Sequence, residues 1–471
     1  MHFHVKKTGI IPRWQIAAVL TALLLCACTP VVQSTQPEGV LPAHFSASGA
    51  VQSPERWWTT LADPRLNQLI DLALTENPGL RATWERLQQA AAVARKAGAE
   101  RSPTLTLEGG GSRTRSLPDG SATDTTSYTV GLNAAYELDL WGRVAATRAA
   151  AELDFQASAA DLQTAALTLS TQVASTWYQL LEKQGQLELL QAQSDANQQI
   201  EELVLVRVRT GKTGVADLLQ QQQLIAALRG EGELVSAEIE RLGHRLAILC
   251  GQPPTLFPLS TAAEFPPLPP RPATGLPLEM IQRRPDLRAA LAAVQAADQR
   301  VAAAIADRFP RLSLSARISS SEASISALFD NWLTTLAANL VGPLVDGGRR
   351  RAEVERTAAL AKGALHNYRQ AALTALGEVE DALSTEDRRQ QYLVSLDRQL
   401  HYATSVLNNL RDRYLRGATD YQRVLGALLD QQRLERTQLQ AQRDLLLNRI
   451  TLYSALSGGW PSAVVAHTSE R

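Results

Sequence analysis

The sequence predicts an α+β membrane protein, a β-barrel that several chains must complete, continued by long coiled-coil helices and built from an internal tandem duplication. Three observations carry this. Short motifs recur in order at a spacing of 206 or 207 residues. Two proline-free tracts, 119–252 and 344–460, have helix-forming composition over lengths far beyond the globular norm. Each copy also holds two alternating runs of about ten residues, the length that crosses a bilayer as a tilted strand.

The duplication fixes the register of everything else. Asn77-Pro78-Gly79-Leu80-Arg81 reappears as Arg284-Pro285-Asp286-Leu287-Arg288, and Pro103 as Pro310, both 207 residues on. Leu140-Trp141-Gly142-Arg143 returns as Asp346-Gly347-Gly348-Arg349, and Gly211 as Gly417, 206 residues on. Leu249-Cys250-Gly251 returns as Leu456-Ser457-Gly458. A period this long is a complete structural half rather than a solenoid unit. The expected division is 1–27 signal peptide, 28–76 anchor and equatorial segment, 77–252 first repeat, 253–277 proline-rich linker, 278–460 second repeat and 461–471 tail.

The first 27 residues read as an export signal, with Lys6, Lys7 and Arg13 ahead of the apolar run Ile16 to Leu25. Leu25-Cys26-Ala27-Cys28 resembles a bacterial lipobox, which makes Cys28 the lipidated first residue of the mature chain. Cys26 fits less well, because Leu25 would stand where a small side chain is needed. Each buried CH₂ of an attached lipid adds about 0.8 kcal/mol, so several chains on Cys28 would tether the protein firmly. Thr29 in place of Asp fits sorting to the outer membrane. Cleavage takes the formal charge from +0 to −3 by removing Lys6, Lys7 and Arg13. That balance speaks against a nucleic-acid partner, which needs a concentrated basic surface. Cys250 is then the one remaining thiol, expected to pack rather than react.

No run of about 18 apolar residues occurs in the mature chain, so any membrane crossing must be a β-barrel. Expected strands are Thr104 to Thr114, Ser127 to Leu138, Arg311 to Ser320 and Trp332 to Val341. Tyr128, Val130, Leu132, Ala134 and Tyr136 alternate with smaller or polar residues, as do Leu312, Leu314, Ala316 and Ile318. Tyr136, Trp141 and Trp332 stand near strand ends, where aromatic girdles are expected. Four strands cannot close a barrel, and an open edge cannot survive in lipid, so several chains must share one.

Helices are expected over Val144 to Thr210 and back to Leu249, then Arg350 to Arg416 and Tyr421 to Leu456. The longer ones have about 67 residues, roughly 100 Å at 1.5 Å per residue. Leu162, Ala166, Leu169, Val173, Thr176 and Leu180 form a coiled-coil seam, repeated by Tyr368, Ala372, Ala375, Val379 and Ala382.

Trp57-Trp58 with Asp63-Pro64, Asn77-Pro78, the run Tyr136 to Arg143, Arg283 to Leu287 and Leu456-Ser457-Gly458-Gly459-Trp460 are together similar to the signatures of one family. The chain resembles the outer-membrane factors (TolC/OprM-like, NodT-type lipoproteins) of tripartite RND-type efflux systems over essentially the whole mature sequence. Ser457 replaces a glycine of the usual closing motif. The resemblance implies a homotrimer with a twelve-stranded barrel and a periplasmic helical tunnel, girdled by segments corresponding to 29–75, 253–277 and 461–471. It also implies a periplasmic adaptor and an inner-membrane RND-type pump. The implied function is a gated passive duct exporting small molecules across periplasm and outer membrane. The competing reading is a periplasmic coiled-coil structural lipoprotein without a pore, which has no use for paired strands.

The resemblance places the closed end of the tunnel at the helical turns. Gate candidates there are Arg209 and Asp217 in the first copy, and Arg413, Arg416, Asp420, Tyr421 and Arg423 in the second, with Arg207 and Tyr414 beside them. Exposed ion pairs are worth about 0–1 kcal/mol each, weak enough for an adaptor to break several. Gly426 stands where the family often carries a constricting acid, leaving Leu425 or Asp430 to shape the aperture. Catalysis has little support, because the seven histidines lack metal-ligand spacing and no nucleophile elbow or phosphate loop is present. No cofactor is expected beyond the covalent lipid on Cys28.

Overall fold

The computed structural model describes residues 42–50, 54–117, 122–258 and 265–456. The expected export signal, Cys28, the expected tail, Ser457 to Trp460 and part of the expected linker lie outside the described residues. The chain divides into two compact units, one holding residues 87–158 and 289–369 and the other residues 39–86, 159–288 and 370–471.

The first unit contains the sheet. Strands β1 (Thr104–Ser116), β2 (Thr123–Leu138), β3 (Arg311–Glu322) and β4 (Leu333–Val341) lie in sequence order, each antiparallel to the next. The first two are longer than the alternation alone marks, and Trp332 falls in the loop before β4 rather than in it. Leu107 faces Leu132, Leu132 faces Ile318, and Leu312 faces Leu340, so one face of the sheet is apolar. The opposite face carries Thr106, Glu108, Asn133, Ser313, Ser315, Arg317 and Asn339, with Glu108 and Arg317 paired at 3.0 Å. β1 and β4 each keep one edge without a partner strand among the described residues. Trp141 is half-buried and joins the two repeats. Its indole N–H donates to the Pro310 carbonyl at 2.7 Å and its ring stacks on Phe309.

Helix α1 (Pro64–Glu76) precedes the first repeat, which supplies α2 (Pro78–Ala99), α3 (Arg143–Arg209) and α4 (Val215–Leu249). The second repeat supplies α5 (Pro277–Arg283), α6 (Pro285–Ala306), α7 (Arg349–Leu415) and α8 (Tyr421–Ala455). Their starts are written in the sequence. Asp63 accepts from the Arg65 and Leu66 amides, Asp139 from Val144 and Ala145, and Asp420 from Arg423, each satisfying donors that the first helical turn leaves open. Asn77 caps Leu80 and donates to the Leu249 carbonyl, holding the end of α4. Arg284, expected as part of a helix-start signal, does more: it reaches Asp286, Glu378 and the Ala455 carbonyl.

The second unit holds the main core. Trp57, Trp58 and Leu61 pack with Leu66, Leu69 and Ile70 of α1 against Ala166, Val173 and Trp177 of α3. Leu242, Leu246 and Cys250 join from the end of α4, and Ile450 and Tyr453 from α8. Trp177 donates to Asp63 at 2.8 Å, the carboxylate that also caps α1. The α7 seam packs separately, with Ala372, Ala375, Val379 and Ala382 against Phe45, Met280, Leu287 and Leu452. Small seam residues let these helix backbones approach closely. Arg449 and Glu386, both almost fully buried, form a two-pronged pair that Arg271 and the Pro269 and Pro270 carbonyls complete.

Candidate functional site

The two turns joining α3 to α4 and α7 to α8 are built alike. Gly211 and Gly417 adopt φ of +70° and +79°, the left-handed conformation that closes a helix. Lys212 N–H donates back to the Arg207 carbonyl and Ala418 N–H to the Arg413 carbonyl, both at 2.8 Å. This local chemistry stops each long helix and sends the chain back on itself.

Between the turns lies a small apolar core of Val204, Tyr414, Tyr421 and Val424, flanked by Ile200, Leu203, Leu407 and Leu410. The two phenol rings meet at 5.9 Å. Arg207 covers Tyr414, with its guanidinium carbon 4.2 Å from the ring centroid and Nη1 donating to the Tyr414 carbonyl at 2.8 Å. Burial pushes the Tyr414 phenol up, opposed by Arg207, and pushes the Tyr421 phenol up further, helped by Tyr414 and Asp217. Both therefore stay neutral at ordinary pH.

A polar ladder leaves this core along the helices. The Tyr421 hydroxyl donates to Gln221 Oε1, and Gln221 Nε2 donates to the Asn197 carbonyl at 2.6 Å and to its Oδ1 at 2.9 Å. Asn197 Nδ2 donates to the Gln193 carbonyl at 2.7 Å, and Gln193 Nε2 to Glu435 at 2.8 Å and to the Gln432 carbonyl at 3.3 Å. A groove of about 400 Å³ runs beside the ladder, lined by Leu203, Leu407, Tyr414, Tyr421, Val424 and Gln432 among others.

The sequence-predicted residues divide into two sets here. Tyr421 is buried in the core, and Asp217 accepts from Thr213 within its own turn. Asp420 engages Arg423 in the first turn of α8, through the cap and a looser 3.6 Å pair, so within one chain these two residues tie no helix to another. Arg209, Arg413 and Arg416 are exposed and make no ion pair among the described residues. Gln221, Asn197 and Gln193 were missed. A glutamine on a helix usually marks a solvated face, and their one signal is a place on the side of α3 and α4 that also carries Val204 and Ile225. Cys250 is buried, its thiol pushed up to about 11 by desolvation, in keeping with a packing role.

The profile of the outer membrane efflux protein family matches residues 69–251 and 276–458, once in each repeat. The pyoverdine export outer membrane protein OpmQ of Pseudomonas putida is 33% identical, covering 93% of this chain and 96% of its own. The cation efflux system protein CusC of Escherichia coli K12 is 28% identical over 93% of this chain and 98% of its own. Among solved structures, the outer-membrane channel OprN superposes with a TM-score of 0.86 at 28% identity, covering 92% of this chain and 100% of its own. The open state of the Neisseria gonorrhoeae MtrE channel superposes with a TM-score of 0.82 at 26% identity, covering 92% and 98%. These neighbours are trimeric outer-membrane channels in which a β-barrel continues into a helical tunnel, and such channels work in tripartite efflux pumps. A spacer without a pore finds no support, and paired strands have no use in one. The chain belongs to the outer membrane efflux protein family and is the outer-membrane channel component of an efflux system, with a large periplasmic part.

Proposed function

We propose that the protein is a passive duct closed at rest by its helical turns. The Arg207–Tyr414–Tyr421–Gln221 core holds α8 and its turn against α3 and α4, and an adaptor opens the duct by substituting for those contacts. The observation that carries this is the coverage of Tyr414 by Arg207 together with the buried bond from Tyr421 to Gln221, which links the turn of one repeat to the return helix of the other. The exposed charges Arg209, Arg413, Arg416, Asp420 and Arg423, with the half-buried Asp217, form the outer layer of the same latch, where neighbouring protomers and the adaptor meet it. Weak pairs suit that layer, since each contributes about 0–1 kcal/mol.

In this reading the chain trimerises, is anchored in the outer membrane by lipid on Cys28, and is driven by an RND-type pump through a periplasmic adaptor. Relatives are named for pyoverdine, cations and toluene, so cargo choice is assigned to the pump and the duct accepts small molecules broadly. The division into signal, anchor segment, two repeats, linker and tail stands with this proposal. Single-channel recording in planar bilayers tests it. Asp420→Ala with Arg423→Ala, and separately Arg207→Ala, should each raise conductance; a duct already fully open in the unmodified protein would sink the closed-at-rest reading.

A further inference from the structure

We propose that a basic cleft between α2 and α3, at the foot of the sheet, holds the headgroup of an anionic phospholipid from the periplasmic leaflet of the outer membrane. The cleft belongs to the unit that carries the sheet and is independent of how the duct closes.

The cleft has a volume of about 640 Å³. Arg95 and Arg101, from the end of α2 and just beyond it, and Arg148, from the second turn of α3, line it over a floor of Ala91, Ala94 and Phe155. A Cβ added at Gly98 of α2 would stand 3.9 Å from Arg148 Nε, so the two helices are close neighbours here. None of the three guanidinium groups makes an ion pair or a side-chain hydrogen bond among the described residues. Glu152, the acid in the lining, pairs with none of them, which leaves a surplus of positive charge. Other arginines of the same unit do find acids: Arg300 pairs with Asp154, Arg350 with Asp307 and Arg351 with Glu355.

The duplication supplies an internal comparison. α2 corresponds to α6 through a shift of 207, and α3 to α7 through 206. Ala94, Gly98, Glu152 and Phe155 thereby map onto Val301, Ile305, Ala358 and Ala361, which pack together as an apolar cluster. Arg95 and Arg148 map onto Ala302 and Val354. The groove that the second repeat fills with apolar side chains is open in the first and lined with cations. Like charges held together without a counterion repel, so the cleft calls for an anion.

Its depth says which one. The strand ends that lead into the helices face the periplasm. Arg101 stands three residues before β1, and Arg148 five residues into α3, which follows β2. Five residues span about 8 Å of helix. A headgroup layer takes up about 5–8 Å on each side of the hydrocarbon core, so long arginine side chains at this level reach it. Leu105 and Leu107 of β1, both exposed, begin the apolar face beside the cleft and offer acyl chains a wall. Guanidinium forks match phosphate oxygens, and basic pockets between helices at this level suit phospholipid headgroups. Three such groups favour a headgroup with two phosphates, so cardiolipin should be held above a lipid with one.

Native mass spectrometry of the detergent-purified trimer tests the site. With added cardiolipin the protein should retain one lipid per protomer, phosphatidylglycerol less, and phosphatidylcholine only at background. Arg95→Gln, Arg101→Gln and Arg148→Gln together should weaken cardiolipin retention by about tenfold or more. Trimer mass and resting conductance should stay unchanged. Arg308→Gln removes the counterpart of Arg101, at the same level beside the filled groove, and should leave retention as it is. Should the triple variant fail to assemble, Arg148→Gln alone carries the test and should weaken retention severalfold. Retention equal to that of the parent protein would overturn the site. Equal loss in the Arg308→Gln protein would also overturn it, since that is diffuse attraction to the rim. Inorganic pyrophosphate that binds as tightly as cardiolipin, or that blocks the parent channel and not the triple variant, would assign the cleft to a soluble anion and overturn the lipid.

Discussion

The Arg207 guanidinium lies over the Tyr414 ring, 4.2 Å from its centroid, and also holds that residue's carbonyl at 2.8 Å. One side chain from the first repeat thereby secures both the ring and the backbone of the turn in the second. A cation over an aromatic face is worth about 0.5–2 kcal/mol, and a hydrogen bond from a charged group about 1.5–3 kcal/mol. Arg207→Ala should therefore loosen the turns by a few kcal/mol and raise the open fraction of single channels. Arg207→Lys should recover little, because an ammonium group lacks the planar fork that makes both contacts.

Tyr421→Phe removes the hydroxyl that Gln221 Oε1 accepts and leaves that buried oxygen without its donor. A group stranded in this way costs about 1–3 kcal/mol. Tyr421→Phe with Gln221→Leu removes both partners and should cost less than Tyr421→Phe alone. Limited proteolysis at the turns, followed as the rate of cleavage after Arg413 or Arg416, reads the difference. Equal rates for the single and double variants would mean that the bond contributes nothing to holding the turn.

The Arg449–Glu386 pair is a prediction about stability rather than gating. Both groups are almost fully buried, and Arg449 also reaches two proline carbonyls of the linker. Breaking a buried pair from one side costs about 3–5 kcal/mol, because the other charge stays behind unpaired. Glu386→Gln should lower the thermal midpoint of the trimer and free the linker to proteases. A midpoint unchanged from the parent protein would contradict the role assigned to the pair.

The pH dependence follows from the two tip phenols. Burial raises both above the ordinary tyrosine value near 10, so the folded turns bind protons that the unfolded chain has already released. Their contribution is therefore complete below about pH 10 and is lost as pH rises beyond it. Resting conductance should not change with tip phenol ionisation between about pH 6 and 9, and should rise above about pH 10. Cys250, pushed up to about 11, should in the same range react with thiol reagents only after unfolding.

Much of the fold could be read in advance because punctuation is local. Gly211, Gly417, Asp139 and Asp420 end or begin helices through their own backbone and caps, so the long helices fall within a residue of expectation. The strands followed from alternation, and the need for several chains from counting them. The bond by which Trp141 joins the two repeats through Pro310 was not legible, because a tryptophan near a strand end carries the same composition signal with or without it. For the gate we propose, the sequence marks a region and not the contacts within it. Charge drew attention to Asp420 and Arg423, whereas the contacts joining the helices run through Arg207, Tyr414 and Tyr421, and through Gln221 and Asn197, whose burial only the packing of α3 on α4 and α8 reveals.

Single-channel conductance of the purified trimer carrying Arg207→Ala and Tyr421→Phe together tests the latch most directly. The unmodified protein should show a small, mostly closed conductance, and the double variant a severalfold larger one at the same trimer mass. An unchanged conductance in an intact double-variant trimer would contradict closure by this core.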